Sequence, residues 1–182
     1  VCKTIDEILN QAKHICEIGA DVVEWRVDWF EEVNNYESVE NAAKQLRDIL
    51  GETPILFTFR TAKEGGERAI EPDEYVELNE KIAKSGYVDL VDVEAFIGDT
   101  YVEKVVKTSH ECGVKVIASN HDFRKTPPKA ELISRMRKMQ ELGADISKIA
   151  VMPQSTEDFS QYRMMYFVSE TLLCYLHKIK GL

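Results

Sequence analysis

The chain has 182 residues, 44% of them hydrophobic and 30% charged, which suits one soluble globular domain with a real core but is short for a complete eight-stranded α/β barrel. A formal net charge of −9 argues against nucleic acid or an anionic membrane surface as a partner, while leaving room for a small anionic substrate over a local cluster of arginines. No run is long and apolar enough for a membrane-spanning helix, and the first residues do not read as a signal peptide.

The first helical pattern ends at Glu17-Ile18-Gly19-Ala20-Asp21 and leads into a strand over Val22-Val23-Glu24-Trp25-Arg26-Val27-Asp28. Alternate residues of a strand share a face, so Glu24, Arg26 and Asp28 are expected to point the same way. Ser38 is a good N-cap for the next helix and Gly51 follows its end. A second strand, Ile55-Leu56-Phe57-Thr58-Phe59-Arg60, runs into Lys63-Glu64-Gly65-Gly66. Pro72 suits the first turn of a third helix, which Gly86 ends. The third strand, Val88 to Glu94, carries Asp92 and Glu94 in alternation.

The fourth strand, Val114 to Ser119, continues into a polar tip, Asn120-His121-Asp122-Phe123. Strand tips are where α/β folds place their chemistry, and an imidazole there is suited to proton transfer near neutrality. A histidine bonded locally in a turn, to Asp122, is the competing reading. The fifth strand is Lys148-Ile149-Ala150-Val151-Met152, ended by Pro153. Burial beside such an apolar strand favours the neutral amine, the nucleophile that Schiff-base chemistry needs. The competing reading of Lys148 is a strand-end lysine that snorkels to water.

Strand starts recur about every 30 residues, the length of one βα unit, so the strands are parallel with right-handed crossovers. A doubly wound sheet and a (β/α) barrel both fit that order. Ionisable residues at alternating positions of several strands favour the barrel, whose polar interior is either an active site or a salt-bridge network. Arg26 and Arg60 would offer donor forks to polar oxygens and would disfavour a charge on Lys148. A metal-dependent barrel using Glu24, Asp92, Glu94 and His121 is the weaker alternative, because a lysine and two arginines would crowd a cation. Cys2, Cys16, Cys112 and Cys174 have no metal-like spacing, and they read as reduced thiols of a cytosolic protein, with Cys16 and Cys112 as small hydrophobes of helices.

Four segments in order, Glu24-Trp25-Arg26-Val27-Asp28, Phe57-Thr58-Phe59-Arg60 with Lys63-Glu64-Gly65-Gly66, Ser119-Asn120-His121-Asp122-Phe123, and Lys148-Ile149-Ala150-Val151-Met152-Pro153, closely resemble type I 3-dehydroquinate dehydratase. The resemblance runs from about Lys3 to about Asp158. It implies a (β/α)8 TIM-barrel fold, here incomplete or open with about five or six parallel strands, in a single domain over residues 1–182. It also implies dehydration of 3-dehydroquinate to 3-dehydroshikimate in the shikimate pathway, with no metal and no organic cofactor, in the cytoplasm and as a homodimer.

By the same resemblance Lys148 forms the imine, His121 is the general acid–base, and Glu64 is the loop glutamate beside it. Glu24, Arg26 and Arg60 bind substrate or shape the pocket, and Asp28, Asp92 and Glu94 are polar positions of the barrel floor. The family's first strand and last two strands, with a loop that closes over the substrate carboxylate, have no clear counterpart in these motifs. In their place residues 159–182 read as one amphipathic helix. A remnant without activity and another imine-forming, aldolase-like barrel are the alternative readings.

Overall fold

The computed structural model describes residues 1–156 and residue 158. The C-terminal helix expected over 159–182 lies outside the described residues. Five helix–strand pairs follow one another among the described residues: α1 (Ile5–Ile18), β1 (Val23–Arg26), α2 (Tyr36–Leu50), β2 (Ile55–Thr58), α3 (Pro72–Ser85), β3 (Leu90–Glu94), α4 (Asp99–Glu111), β4 (Lys115–Asp122), α5 (Lys129–Glu141) and β5 (Ile146–Val151). The strands form one parallel sheet in the order β1-β2-β3-β4-β5.

Local chemistry sets the boundaries. Thr4 and Glu7 form a reciprocal capping box at the start of α1, which answers two backbone N–H groups that the helix leaves open. Pro72 occupies the first turn of α3 and Gly86 ends it in the left-handed region at φ 76°, as the sequence predicts. α2 starts earlier than expected. Its N-cap is Asn35, whose side chain accepts from the N–H groups of Glu37 and Ser38, so Ser38 lies inside the first turn.

Three strands are also shorter than their apolar runs, β3 because it begins only at Leu90. β1 ends at Arg26, because a 3-10 turn over Val27–Trp29 bends the chain. Asp28 therefore leaves the strand alternation and folds back onto Arg26. β2 ends at Thr58, and Arg60 lies beyond it. β5, by contrast, begins at Ile146, so Lys148 is its third residue rather than its head.

The two faces of the sheet differ in chemistry. Val23, Trp25, Ile55, Phe57, Val91, Val93, Val116, Ala118 and Ile149 alternate along one face, all buried, and join the helices in one hydrophobic core. Val39 and Leu46 of α2, Tyr75 and Ile82 of α3, Val102 and Val105 of α4, and Leu132 and Met139 of α5 pack onto that face. Trp25 meets Phe57 edge to face at 5.6 Å.

The opposite face carries Glu24, Thr58, Asp92, Ser119 and Lys148, which cross-strand register brings to neighbouring levels. In a flat sheet the first and fifth strands would stand roughly 19 Å apart. Yet Lys148 Nζ lies 3.8 Å from Glu24 Oε1. The sheet is therefore strongly curved, with its polar face on the concave side, and its barrel is not closed among the described residues. None of the described helices is long and apolar enough to cross a membrane. Cys16 and Cys112 are exposed rather than packed as hydrophobes.

Candidate active site

Lys148 projects from β5 onto the concave face with its side chain 37% exposed, so burial removes only part of its water. Its neighbours differ from those the sequence suggests. Two carboxylates face the amine, Asp92 Oδ2 at 3.6 Å and Glu24 Oε1 at 3.8 Å. The arginines expected to repel its charge are both committed to acids. Arg26 donates from Nε and Nη2 to the two oxygens of Asp28, each at 2.7 Å.

Arg60 is 4% exposed and sits beneath the concave face. Its Nη2 donates to Asp92 Oδ1 at 2.7 Å, and its Nη1 donates to Glu94 Oε1 at 3.1 Å and Ser119 Oγ at 2.9 Å. Burial alone would weaken the charge on Arg60, but the fields of Asp92, Tyr75 and Glu94 more than compensate and raise its pKa. Burial has the last word at Glu94, whose carboxyl is held above its ordinary value despite the donors that reach it. Tyr75, fully buried, is pushed well above the usual phenol range for the same reason.

On β4, His121 stands beside Ala150 of β5, one alternation beyond the Ser119–Lys148 pair. Alternation and register thus put imidazole and amine on one face of adjacent strands. Glu64 comes from the loop after β2. One of its oxygens, Oε2, accepts from the backbone N–H of His121 at 2.9 Å and from Nδ1 at 3.0 Å. A carboxylate only accepts, so Nδ1 carries the hydrogen and Nε2 is left as the basic nitrogen. The local turn bond to Asp122 offered by the competing reading is absent; Asp122 instead accepts from the N–H groups of Arg124 and Lys125.

The Glu64 loop is held by buried acids. Glu94 accepts from the N–H of Thr61 at 2.8 Å and from its hydroxyl at 2.7 Å. Asp28 accepts from the N–H groups of Arg60 and Glu67, which bracket the loop. Burial pushes the Asp28 carboxyl up, but Arg26 and these N–H donors outweigh it and hold the group below its ordinary value. Two glycines let the loop turn so tightly. Gly65 has φ 84°, and a Cβ on Gly66 would fall 1.8 Å from the carbonyl oxygen of Arg60.

Sequence reading missed a further chain of contacts. Arg135 of α5 donates to Asn120 Oδ1 at 2.7 Å, and Asn120 Nδ2 donates to Glu64 Oε1 at 3.0 Å. Asn120 is adjacent to the motif histidine, but nothing in the spacing of Arg135 announces the pairing. The arrangement can attack a carbonyl with a primary amine and move protons with an oriented imidazole.

Comparison with known proteins identifies the family. The sequence model of type I 3-dehydroquinase matches residues 1–177. The chain belongs to the type I 3-dehydroquinase family. The match runs past Asp158, where the motifs legible in the sequence end.

The 3-dehydroquinate dehydratase of Listeria monocytogenes serotype 4b is 53% identical over 158 residues, covering 87% of this chain and 63% of that protein. That of Clostridioides difficile is 49% identical over 156 residues, covering 86% of this chain and 61% of that one. The chain thus spans less than two thirds of the length of these relatives. A crystal structure of the Clostridium difficile type I enzyme with covalently modified comenic acid superimposes with a TM-score of 0.85 at 49% identity, covering 87% of this chain and 62% of that one. A Schiff-base-forming fructose-1,6-bisphosphate aldolase, at 17% identity and a TM-score of 0.56 over 86% of this chain and 61% of its own, shares the fold.

Proposed function

We propose that the protein dehydrates 3-dehydroquinate to 3-dehydroshikimate through an imine at Lys148. The observation that carries this reading is the placement of Lys148 on the concave face of β5, one alternation from a His121 whose Nδ1–H is tied to Glu64. Lys148 adds to the substrate ketone and water leaves. The resulting iminium withdraws electrons from the adjacent carbon and acidifies it. His121 Nε2 takes that proton and returns one to the departing hydroxyl. Glu64 fixes the tautomer that leaves Nε2 free for this work.

Glu24 and Arg26, partly exposed on β1, are positioned to meet the substrate's polar oxygens. Arg60 shapes the floor rather than reaching into solvent, since its donors are occupied from below. No metal or organic cofactor enters the reaction. The pathway to aromatic amino acids, a cytoplasmic setting and a homodimer go with the same reading, and sedimentation tests the last of these.

Incubation with 3-dehydroquinate and borohydride, followed by intact and peptide mass spectrometry, tests the central claim. The expected result is one reduced adduct, on the peptide that contains Lys148. Lys148→Ala abolishes it, whereas His121→Ala still traps substrate while turnover falls by roughly 10²–10⁴-fold. A folded wild-type protein that gives no adduct overturns the proposal.

A further inference from the structure

Among the described residues, Asp92 is the buried acid of the concave face with an oxygen left over. It lies on β3 with its side chain fully buried. Oδ1 is taken twice, by Arg60 Nη2 at 2.7 Å and by the hydroxyl of Ser119 at 2.6 Å. Oδ2 is buried with no hydrogen-bond partner among the described residues, and the amine of Lys148 is 3.6 Å away. A buried carboxylate oxygen without a donor is costly and is retained where something else uses it. Two donors on Oδ1 fix the plane of the carboxylate, so Oδ2 cannot swing away from β5.

We propose that Asp92 is the positioning residue and fixed counter-charge of Lys148, holding Nζ in line for attack and balancing the iminium that follows. The inference rests on the Schiff-base reading above and adds a residue to it. The charge balance explains why one carboxylate serves both stages. An ammonium and a ketone give an iminium and one water: nitrogen gives up two hydrogens, the carbonyl oxygen leaves with both, and the nitrogen ends with the unit positive charge it began with. A negative oxygen beside Nζ therefore faces the same charge before and after the bond forms and needs no rearrangement.

Glu24 is not equivalent. It is 40% exposed, and among the described residues its side chain accepts one hydrogen bond, from the Thr58 hydroxyl at 2.9 Å, so it is less rigidly held. Glu94 is as buried as Asp92 and shares Arg60, yet its two oxygens are spent on Arg60 and Thr61. This pair of acids on one strand separates positioning of the lysine from simple neutralisation of Arg60.

Asp92→Asn is the informative change, because its amide oxygen still accepts from Arg60 and Ser119 while an NH₂ group replaces Oδ2. The rate of adduct formation with 3-dehydroquinate, quenched by borohydride at intervals, is measured against substrate concentration for the wild type, Asp92→Asn and Glu94→Gln, with circular dichroism confirming folding. The expected result is a roughly 10- to 100-fold slower limiting rate for Asp92→Asn with an unchanged half-saturating concentration, and less than a threefold change in limiting rate for Glu94→Gln. Equal slowing in both variants, or wild-type kinetics in Asp92→Asn, overturns the role given to Asp92 while leaving the imine chemistry standing. Absence of any adduct in the wild type overturns the Schiff-base reading and this role together. If Asp92→Asn does not fold, Ser119→Ala, which frees the carboxylate to rotate, carries the same expectation in weaker form: a lowered limiting rate supports the role and an unchanged one overturns it.

Discussion

Removing the Arg60 guanidinium is the sharpest stability test of the buried network. In Arg60→Ala, Asp92 and Glu94 lose their shared cation while both remain essentially inaccessible to water. Breaking a buried pair by deleting one partner costs about 3–5 kcal/mol, because the survivor is left charged and desolvated. Here the survivors keep some donors. Asp92 retains Ser119, and Glu94 retains the N–H and hydroxyl of Thr61. That places the expected loss near the lower end, about 3 kcal/mol, or roughly 6–12 °C in Tm for a domain of this size.

The loss also depends on pH, with a definite sign. Glu94 already titrates above its ordinary value because of burial, and without Arg60 it titrates higher still. A carboxyl raised in the folded state binds more protons there than when unfolded, so its contribution to stability declines as pH rises from about 4.3 through the folded value. The deficit of Arg60→Ala is therefore largest at pH 7 and smaller near pH 5. Urea denaturation followed by far-UV circular dichroism at the two pH values measures both quantities. A deficit under about 1 kcal/mol at pH 7, or an equal deficit at both, would refute the argument that Arg60 neutralises desolvated acids.

The loop and the acid limb give two further expectations. Gly66→Ala drives a methyl group against the Arg60 carbonyl, so the Glu64 loop shifts and the His121 contact opens; turnover falls by roughly 10²-fold with the imine still trappable, and retention of full turnover contradicts the loop's proposed role. Asp28 is held below its ordinary value by Arg26 and two backbone N–H groups, so it contributes stability that is present above about pH 4 and lost as pH falls through the folded value. Asp28→Asn should flatten that acid limb in chemical denaturation between pH 5 and 3, and an unchanged slope would assign it to other groups, Asp145 among them.

Much of the fold was legible because it rests on short-range physics. Apolar runs of five or six residues, helical periodicity between them, Pro72 at a first turn and Gly51 and Gly86 after helices are signals carried by neighbours in the chain. They determined five βα units and, through the need for crossovers, a parallel sheet. The motifs around Glu64, His121 and Lys148 were legible too, and strand alternation grouped Glu24 with Arg26 and Asp92 with Glu94 on polar faces. Boundaries were less secure where a local turn competed with the strand pattern. The 3-10 turn at Val27–Trp29 took Asp28 off the strand and gave it to Arg26 and the Glu64 loop.

Tertiary structure alone decided what each charge touches. The family resemblance placed two arginines near a lysine and suggested mutual repulsion. Instead the turn at Val27–Trp29 matched Arg26 to Asp28, while the fold of the sheet matched Arg60 to acids of β3 and left two carboxylates facing the amine. The pairings of Arg60 and Lys148 join residues about 30 to 120 positions apart, and a Coulomb interaction depends on separation in space, which the order of residues along a chain does not state. The sequence therefore determined which groups this protein carries on its concave face, while only the folded sheet decided that Asp92 would hold one oxygen in reserve beside Lys148.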